Sequence, residues 1–334
     1  MSPPMTIRDQ ALLGSAQPSG SASRSTASDN AMVCGGTNNP WTALTISQFW
    51  NGSSWDNSVA DLPIKRQFWC AGGNYDNYMG AAGDYDGTGN ERKDTFQWDG
   101  SAWTAEGSGY PQTDNYHNVG GSFGGNNDEA FIHSGQSSDF TPSYMTVSGY
   151  WNGTAWAESV ASSYGGQGNT GDGIPEDFIA TAGYGLNGTA SAHQTFKTES
   201  FSKTRGTWVA EADFPTTGAG SNNAGGYGGG AASGRESFMA FVNDTDSTVA
   251  DIAFYYDGTS WTASASDLAD ANKYGAGGGD SSSGIFCGGI KPGETTPEPW
   301  GAKTSQLYDG ATDVFTATAD LDDGFSAGGM GANT

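Results

Sequence analysis

Apolar residues in this chain fall in short runs bounded by glycine and polar positions. Met32-Val33-Cys34, Ala130-Phe131-Ile132, Phe178-Ile179-Ala180, Phe238 to Val242 and Ile285-Phe286-Cys287 are of this kind. Such runs read as buried strands. A second kind is glycine-rich: Cys70 to Gly73, Asn118 to Gly121, Asn223 to Gly226, Gly275 to Gly279 and Ser326 to Met330. Glycine inside a strand marks close backbone approach, so these predict crowded inner strands. A third joins an aromatic pair to Asn-Gly or Asp-Gly and then to Trp. It predicts a strand, a tight two-residue turn and a second strand. No long stretch carries a helical apolar period, so almost no helix is expected beyond the first thirty residues.

The third pattern recurs six times: Phe49 to Trp55, Gln97 to Trp103, Tyr150 to Trp156, a degraded copy over Ser202 to Trp208, Tyr255 to Trp261, and Leu307 to Phe315. These copies define units 1 to 6. Their glycines, Gly52, Gly100, Gly153, Gly206, Gly258 and Gly310, are separated by 48, 53, 53, 52 and 52 residues. Four strands per unit and six units predict an all-β, six-bladed β-propeller, and a period near fifty is that of kelch-type blades. The tryptophans at fixed places, Trp55, Trp103, Trp156, Trp208 and Trp261, are expected as rings wedged between adjacent sheets.

The chain ends on an inner-strand pattern, Ser326 to Met330, with no second strand after it, and residues 30–334 begin with the missing second strand, Met32 to Gly36. The C-terminal strand is therefore expected to complete the blade begun at the N-terminus and to close the ring. Residues 1–29 differ in kind. Ser15 to Asn30 is Ser/Ala/Gly-rich linker material, expected as an anchoring arm or a disordered tail.

The formal charge is −24, from 37 acidic and 13 basic residues. This argues against nucleic acid and anionic membranes as partners, since both require a basic face. No apolar leader follows Met1, so the chain is expected to be made in a cytoplasm without a signal peptide. Three cysteines, Cys34, Cys70 and Cys287, read as small buried residues rather than a disulfide framework.

Catalytic signals are weak. Three histidines are present, His117, His133 and His193, with few arginines: Arg8, Arg24, Arg66, Arg92, Arg205 and Arg235. An arginine triad of the sialidase kind and a cysteine-tyrosine copper site are not indicated, and no catalytic residue is assigned. Asp84, Asp86 and Asn90 alternate oxygen ligands in a calcium-like way, without the bidentate glutamate of an EF-hand. Calcium is the one candidate cofactor. The Asn-Gly-Ser/Thr sites at Asn51, Asn152 and Asn187 are read mostly as turn chemistry rather than glycosylation. Three loops between second and third strands place a proline beside an aromatic: Pro40-Trp41, Pro142-Ser143-Tyr144 and Pro299-Trp300. Trp41, Tyr144 and Trp300 are thereby a candidate platform for stacking on sugar rings.

The aromatic-[Asn/Asp]-Gly-[Ser/Thr]-x-Trp motif, the Gly-Gly inner strands and the scarcity of lysine resemble kelch-like repeat proteins of tailed marine bacteriophages, over roughly residues 30–334. That resemblance implies a virion component: a tail or capsid appendage in multiple copies. It would contact other virion proteins through its N-terminal arm and bind host-surface glycans without enzymatic activity. A purely structural nozzle or decoration protein and a glycan-active enzyme are the alternatives. Lys203-Thr204-Arg205 in unit 4 departs from the motif, so an irregular blade is expected there.

Overall fold

The computed structural model describes residues 30–38, 42–83, 93–107, 109–111, 121–136, 144–167, 170–181, 184–186, 192–194, 197–215, 238–241, 253–268, 275–279, 281–289, 301–324 and 329–332. Among these residues every regular element is a β-strand. Five antiparallel four-stranded sheets share one plan, in which the first to fourth strands of a unit pair in order from the inside outward. Unit 2 runs Cys70–Asn74, Asn77–Ala81, Thr95–Trp98 and Trp103–Glu106. Unit 3 runs Ser122–Gly125, Ala130–Gln136, Tyr144–Trp151 and Trp156–Glu158. Unit 4 runs Thr170–Ile174, Asp177–Thr181, Thr198–Ser202 and Thr207–Ala210. Unit 6 runs Ala276–Gly279, Ser283–Cys287, Ser305–Asp309 and Val314–Ala317. Unit 5 shows three strands, Phe238–Phe241, Ala253–Tyr256 and Trp261–Ala263. The fold is an all-β propeller.

Unit 1 draws its innermost strand from the far end of the chain. Gly329–Ala332 pairs antiparallel with Ala31–Cys34, with Ala31 opposite Ala332 and Cys34 opposite Gly329. Ser47–Trp50 and Trp55–Asp56 complete that sheet.

The hairpin motif fixes the register of each outer strand pair. Trp50 lies opposite Trp55, Trp98 opposite Trp103, Trp151 opposite Trp156, Phe201 opposite Trp208, Tyr256 opposite Trp261 and Tyr308 opposite Phe315. Ring centroids in these pairs are 4.8–5.7 Å apart. Such cross-strand aromatic pairs contribute about 0.5–1.5 kcal/mol beyond the area they bury. The tryptophans then reach out of their own sheets. Trp55 Nε1 donates to Ser305 Oγ at 3.1 Å, Trp156 to Thr95 Oγ1 at 2.8 Å and Trp261 to Thr198 Oγ1 at 3.2 Å. Each acceptor is the first residue of a third strand in the neighbouring sheet, the one farthest from the hairpin turn. Trp103 and Trp208 instead donate to the connector carbonyls of Ala60 and Val160. The rings are thus wedges with a polar staple.

The turn inside the motif is not the two-residue type expected from Asn-Gly and Asp-Gly. In units 1, 2, 3 and 5 four residues separate the paired aromatics, and only the glycine takes positive φ: 91° at Gly52, 89° at Gly100 and Gly153, 88° at Gly258. The Asn or Asp side chain does the rest. Asn51 Oδ1 accepts from the Ser53 and Ser54 amides, Asp99 Oδ1 from Ser101 and Ala102, Asn152 Oδ1 from Thr154 and Ala155, and Asp257 Oδ1 from Thr259 and Ser260. An Asx turn closes the longer loop because one carboxylate or amide oxygen satisfies two amides that the ladder leaves free. Asn152→Ala is expected to lower stability by about 1 kcal/mol, read as a shift in denaturant midpoint. Asn152→Asp is expected to stay within about 0.5 kcal/mol of wild type, since aspartate holds the same turn at Asp99 and Asp257.

Three further expectations are corrected. The inner strand of unit 3 is Ser122–Gly125, one Gly-Gly pair beyond the Asn118 to Gly121 segment. A Cβ on Gly124 would lie 2.2 Å from the Gly173 carbonyl oxygen of the next sheet, so this is where two backbones meet without room for a side chain. Unit 4 is a complete four-stranded sheet. The departure there is confined to its turn, where Thr204 N donates to Glu176 and Lys203 sits over the Tyr150 ring. An additional three-stranded sheet, Gly165–Gln167, Tyr184–Leu186 and Ala192–Gln194, branches from the loops around unit 4.

Candidate functional site

The propeller has two unlike faces. On one, first and second strands are joined by tight turns: Tyr75-Asp76 in unit 2, Asn126 to Glu129 in unit 3, Pro175-Glu176 in unit 4. These turns are hydrogen-bonded to one another. Asn77 Nδ2 donates to Asp128 at 2.9 Å, the Asn127 amide donates to Asn77 Oδ1 at 2.8 Å, and Asn127 Nδ2 donates to the Trp98 carbonyl at 2.8 Å. The opposite face carries the long connections between second and third strands and between one sheet and the next. Loops held on a rigid scaffold are where binding residues concentrate.

Tyr144 opens the third strand of unit 3, its backbone opposite Gln136. Trp41, Trp300, Asp84, Asp86, Asn90 and His117 lie outside the described residues, so the platform and the calcium loop are not brought together here. His193 lies in the additional sheet, opposite Gly185.

His133 is 3% exposed in the second strand of unit 3. Its Nδ1 is 3.2 Å from Ser148 Oγ, and its ring lies against Trp208. Burial pushes its pKa down to about 3, so it is a neutral core imidazole. Neither of these neighbours, Ser148 or Trp208, is a carboxylate that would complete a nucleophilic triad. The depressed pKa gives stability that is present above the ordinary value of 6.5 and is lost as pH falls toward 3. Cys34, Cys70 and Cys287 are free and buried. Burial pushes the Cys70 thiol up to about 12 and the other two higher still, so none is a reactive thiolate. Burial, with Cys34 nearby in unit 1, likewise holds the Tyr78 hydroxyl well above its ordinary pKa. Among the described residues no group of three or more His, Cys, Asp or Glu converges on a point that could hold a metal ion. No helix among them is long and apolar enough to cross a membrane.

The best-defined construction on the loop face lies between units 1 and 2. The Arg66 side chain is fully buried and pairs with Asp94 at 2.8 Å. Its Nη1 donates to the Lys65 carbonyl, and its guanidinium lies over the Phe96 ring at 5.4 Å. Its backbone accepts from Gly36 and donates to Leu44. Trp69 Nε1 donates to the Cys34 carbonyl at 3.0 Å. Next to it Phe68 sits at φ 50°, and Ala82 at φ 62° is followed by Gly83, where a Cβ would lie 2.5 Å from Trp69 Cβ. Residues 65–69 thereby tie the ends of the 35–46 connection to the ends of the 82–94 connection. Strained non-glycine residues held by surrounding packing recur at binding sites. The sequence offered no signal for this cluster, because Arg66 has no repeat equivalent.

A second buried charge went unnoticed in the sequence. Glu199 is 4% exposed in the third strand of unit 4 and accepts hydrogen bonds from Ser163 and Tyr164 of the preceding connector. Gln48 does the equivalent work in unit 1, donating to the Asp323 carbonyl and accepting from its amide. A glutamate can only accept when ionised, and its Oε2 finds no partner. Burial raises its pKa above the ordinary 4.5. A raised carboxyl favours the protonated folded state, so this stability is full below the ordinary value and is lost as pH rises through the folded pKa. Glu199→Gln is therefore expected to gain on the order of 1 kcal/mol at neutral pH and to remove that fall, read from melting temperature against pH.

No protein-family model matches the chain, and no curated protein matches it. Among solved structures it is similar to one titled "Structure of YjhT", with a TM-score of 0.60 over 81% of this chain and 88% of that one, at 13% identity. A likeness at that identity carries the fold alone, and it agrees with the all-β propeller read from the sheets.

Proposed function

We propose that this chain is a non-enzymatic virion protein of a phage, a tail or capsid appendage that presents its long-loop face to host-surface glycans. In this reading the disc is a six-bladed, kelch-like ring. Unit 5, which carries the same motif and three of the strands, is the sixth blade, and Gly329–Ala332 closes the ring on the N-terminal sheet. Residues 1–29 attach it to other virion proteins, in multiple copies per particle.

The observation that carries the proposal is the asymmetry of the faces: short, cross-linked turns on one side and long connections on the other. The repeat's resemblance to phage proteins supplies the virion context. Stacking on sugars would fall to Trp41, Tyr144 and Trp300, and calcium would fall to Asp84, Asp86 and Asn90. The runner-up is a structural nozzle or decoration protein without a ligand. A glycan-active enzyme is less well supported, since the one Ser–His side-chain contact among the described residues, Ser148 with His133, is buried and His133 has no carboxylate beside it there.

Two measurements test this reading. Mass spectrometry of purified particles is expected to find the chain, and truncation before Asn30 is expected to abolish its incorporation. A glycan array run with and without calcium is expected to show binding that Trp300→Ala weakens. Absence from particles would sink the virion reading, and no glycan binding in either condition would leave the structural one.

A further inference from the structure

We infer that the disc is mounted by its short-turn face, leaving the long-loop face free. This inference rests on the reading above of an appendage held through the segment before Asn30. In units 2, 3 and 4 a tight turn joins the first strand to the second. In unit 1 that position is occupied by the two ends of the chain. Ala31 lies opposite Ala332, and both stand at the level of Trp50 and Trp55, where the outer hairpin turns. The other end of the same strand, Cys34, stands opposite Ser47 and leads into the long connection. The strand between them spans about 10–13 Å at about 3.3 Å per residue.

The exit is fixed in direction as well as in level. Asn30 Oδ1 accepts from the Tyr75 amide in the neighbouring turn at 3.2 Å, and the Phe49 and Tyr75 rings lie 3.8 Å apart beside it. The chain therefore leaves among the tight turns, on the side of the disc away from Arg66, Asp94 and the loop connections. Whatever protein surface captures the preceding segment meets this face first. The turns there are cross-linked by Asn77, Asn127 and Asp128, and Thr204 is tied to Glu176, so the surface is preformed and need not reorganise on docking. Asp76, Asp99, Asp128 and Glu176 are exposed on it, so the complementary partner is a protein surface carrying lysine or arginine at the contact.

The test is carbodiimide-driven amidation of carboxylates with glycinamide, applied to purified particles and to the free full-length chain and read by peptide mass spectrometry. Asp76, Asp99, Asp128 and Glu176 are expected to lose at least about tenfold in labelling rate in particles, as in an interface that excludes reagent. Asp61, Asp213 and Asp322, on the loop side, are expected to keep their rates. Protection of the loop-side set, or of neither set, would overturn the mounting face while leaving the appendage reading intact. Absence of the chain's peptides from particles would overturn the appendage reading and this inference with it.

Discussion

Deleting residues 325–334 is expected to abolish cooperative folding of the monomer. The deletion removes the partner of Ala31–Cys34, a strand whose four residues are at most 1% exposed. Its ladder groups would be left as an open edge in the centre of the fold, where unpaired amides and carbonyls invite pairing with another chain. Ala31 and Val33 also pack with Ala276, Ile285 and Cys287 of unit 6, and Met32 and Cys34 with Trp69, Tyr78 and Trp98 of unit 2. Loosening one strand therefore uncouples two sheet contacts. A domain is stable by only about 5–15 kcal/mol in total, and losing a central ladder together with both apolar contacts is of that order. The truncated chain should elute as oligomer or aggregate and melt without a sharp transition, and a peptide of residues 325–334 added in trans should restore part of the transition. A monomer melting within a few degrees of wild type would show that the C-terminal strand is dispensable.

Trp156→Ala is expected to cost about 3–5 kcal/mol. The ring is 7% exposed, opposite Trp151 at 5.7 Å and edge-on to Tyr110 at 5.1 Å. It belongs to the apolar cluster that joins units 2 and 3. Removing it leaves a cavity and strands the fully buried Thr95 hydroxyl that its indole N–H reaches. Trp156→Phe keeps most of the apolar volume and should lose only about 1–2 kcal/mol, chiefly the hydrogen bond. Thr95→Val in the Trp156→Phe background should cost less than in wild type, because the two groups share one interaction. Denaturant midpoints of the four proteins settle the matter. A cost below about 1 kcal/mol for Trp156→Ala would mean that the ring decorates the sheet rather than wedging two sheets together.

These two predictions draw on different kinds of legibility. The aromatic pairs and their turns could be placed from the chain alone, since partners such as Trp98 and Trp103 are five residues apart and their pairing is a local consequence of the hairpin. The turn type was misjudged because Asn-Gly serves both a two-residue turn and the four-residue turn found here. Only the side-chain bonds of Asn51, Asp99, Asn152 and Asp257 distinguish them. The inner strand of unit 3 was misplaced because two Gly-Gly pairs compete for the position, and the choice falls to the one that meets Gly173 of another sheet.

The sequence by itself determined that the chain is a repeated all-β fold, where each outer hairpin begins and ends, and that the last strand pairs beside the first. All three follow from local periodicity and from a missing piece in a repeat. Tertiary structure alone decided which buried polar groups hold neighbouring sheets together. Trp55 reaches Ser305, 250 residues away, Arg66 pairs with Asp94, and Glu199 pins the 163–164 connector. The physical reason is that a hairpin's register is set by residues adjacent in the chain. The burial of a charge or the destination of an indole N–H is set by which sheets the tertiary fold presses together, and no single repeat contains that information.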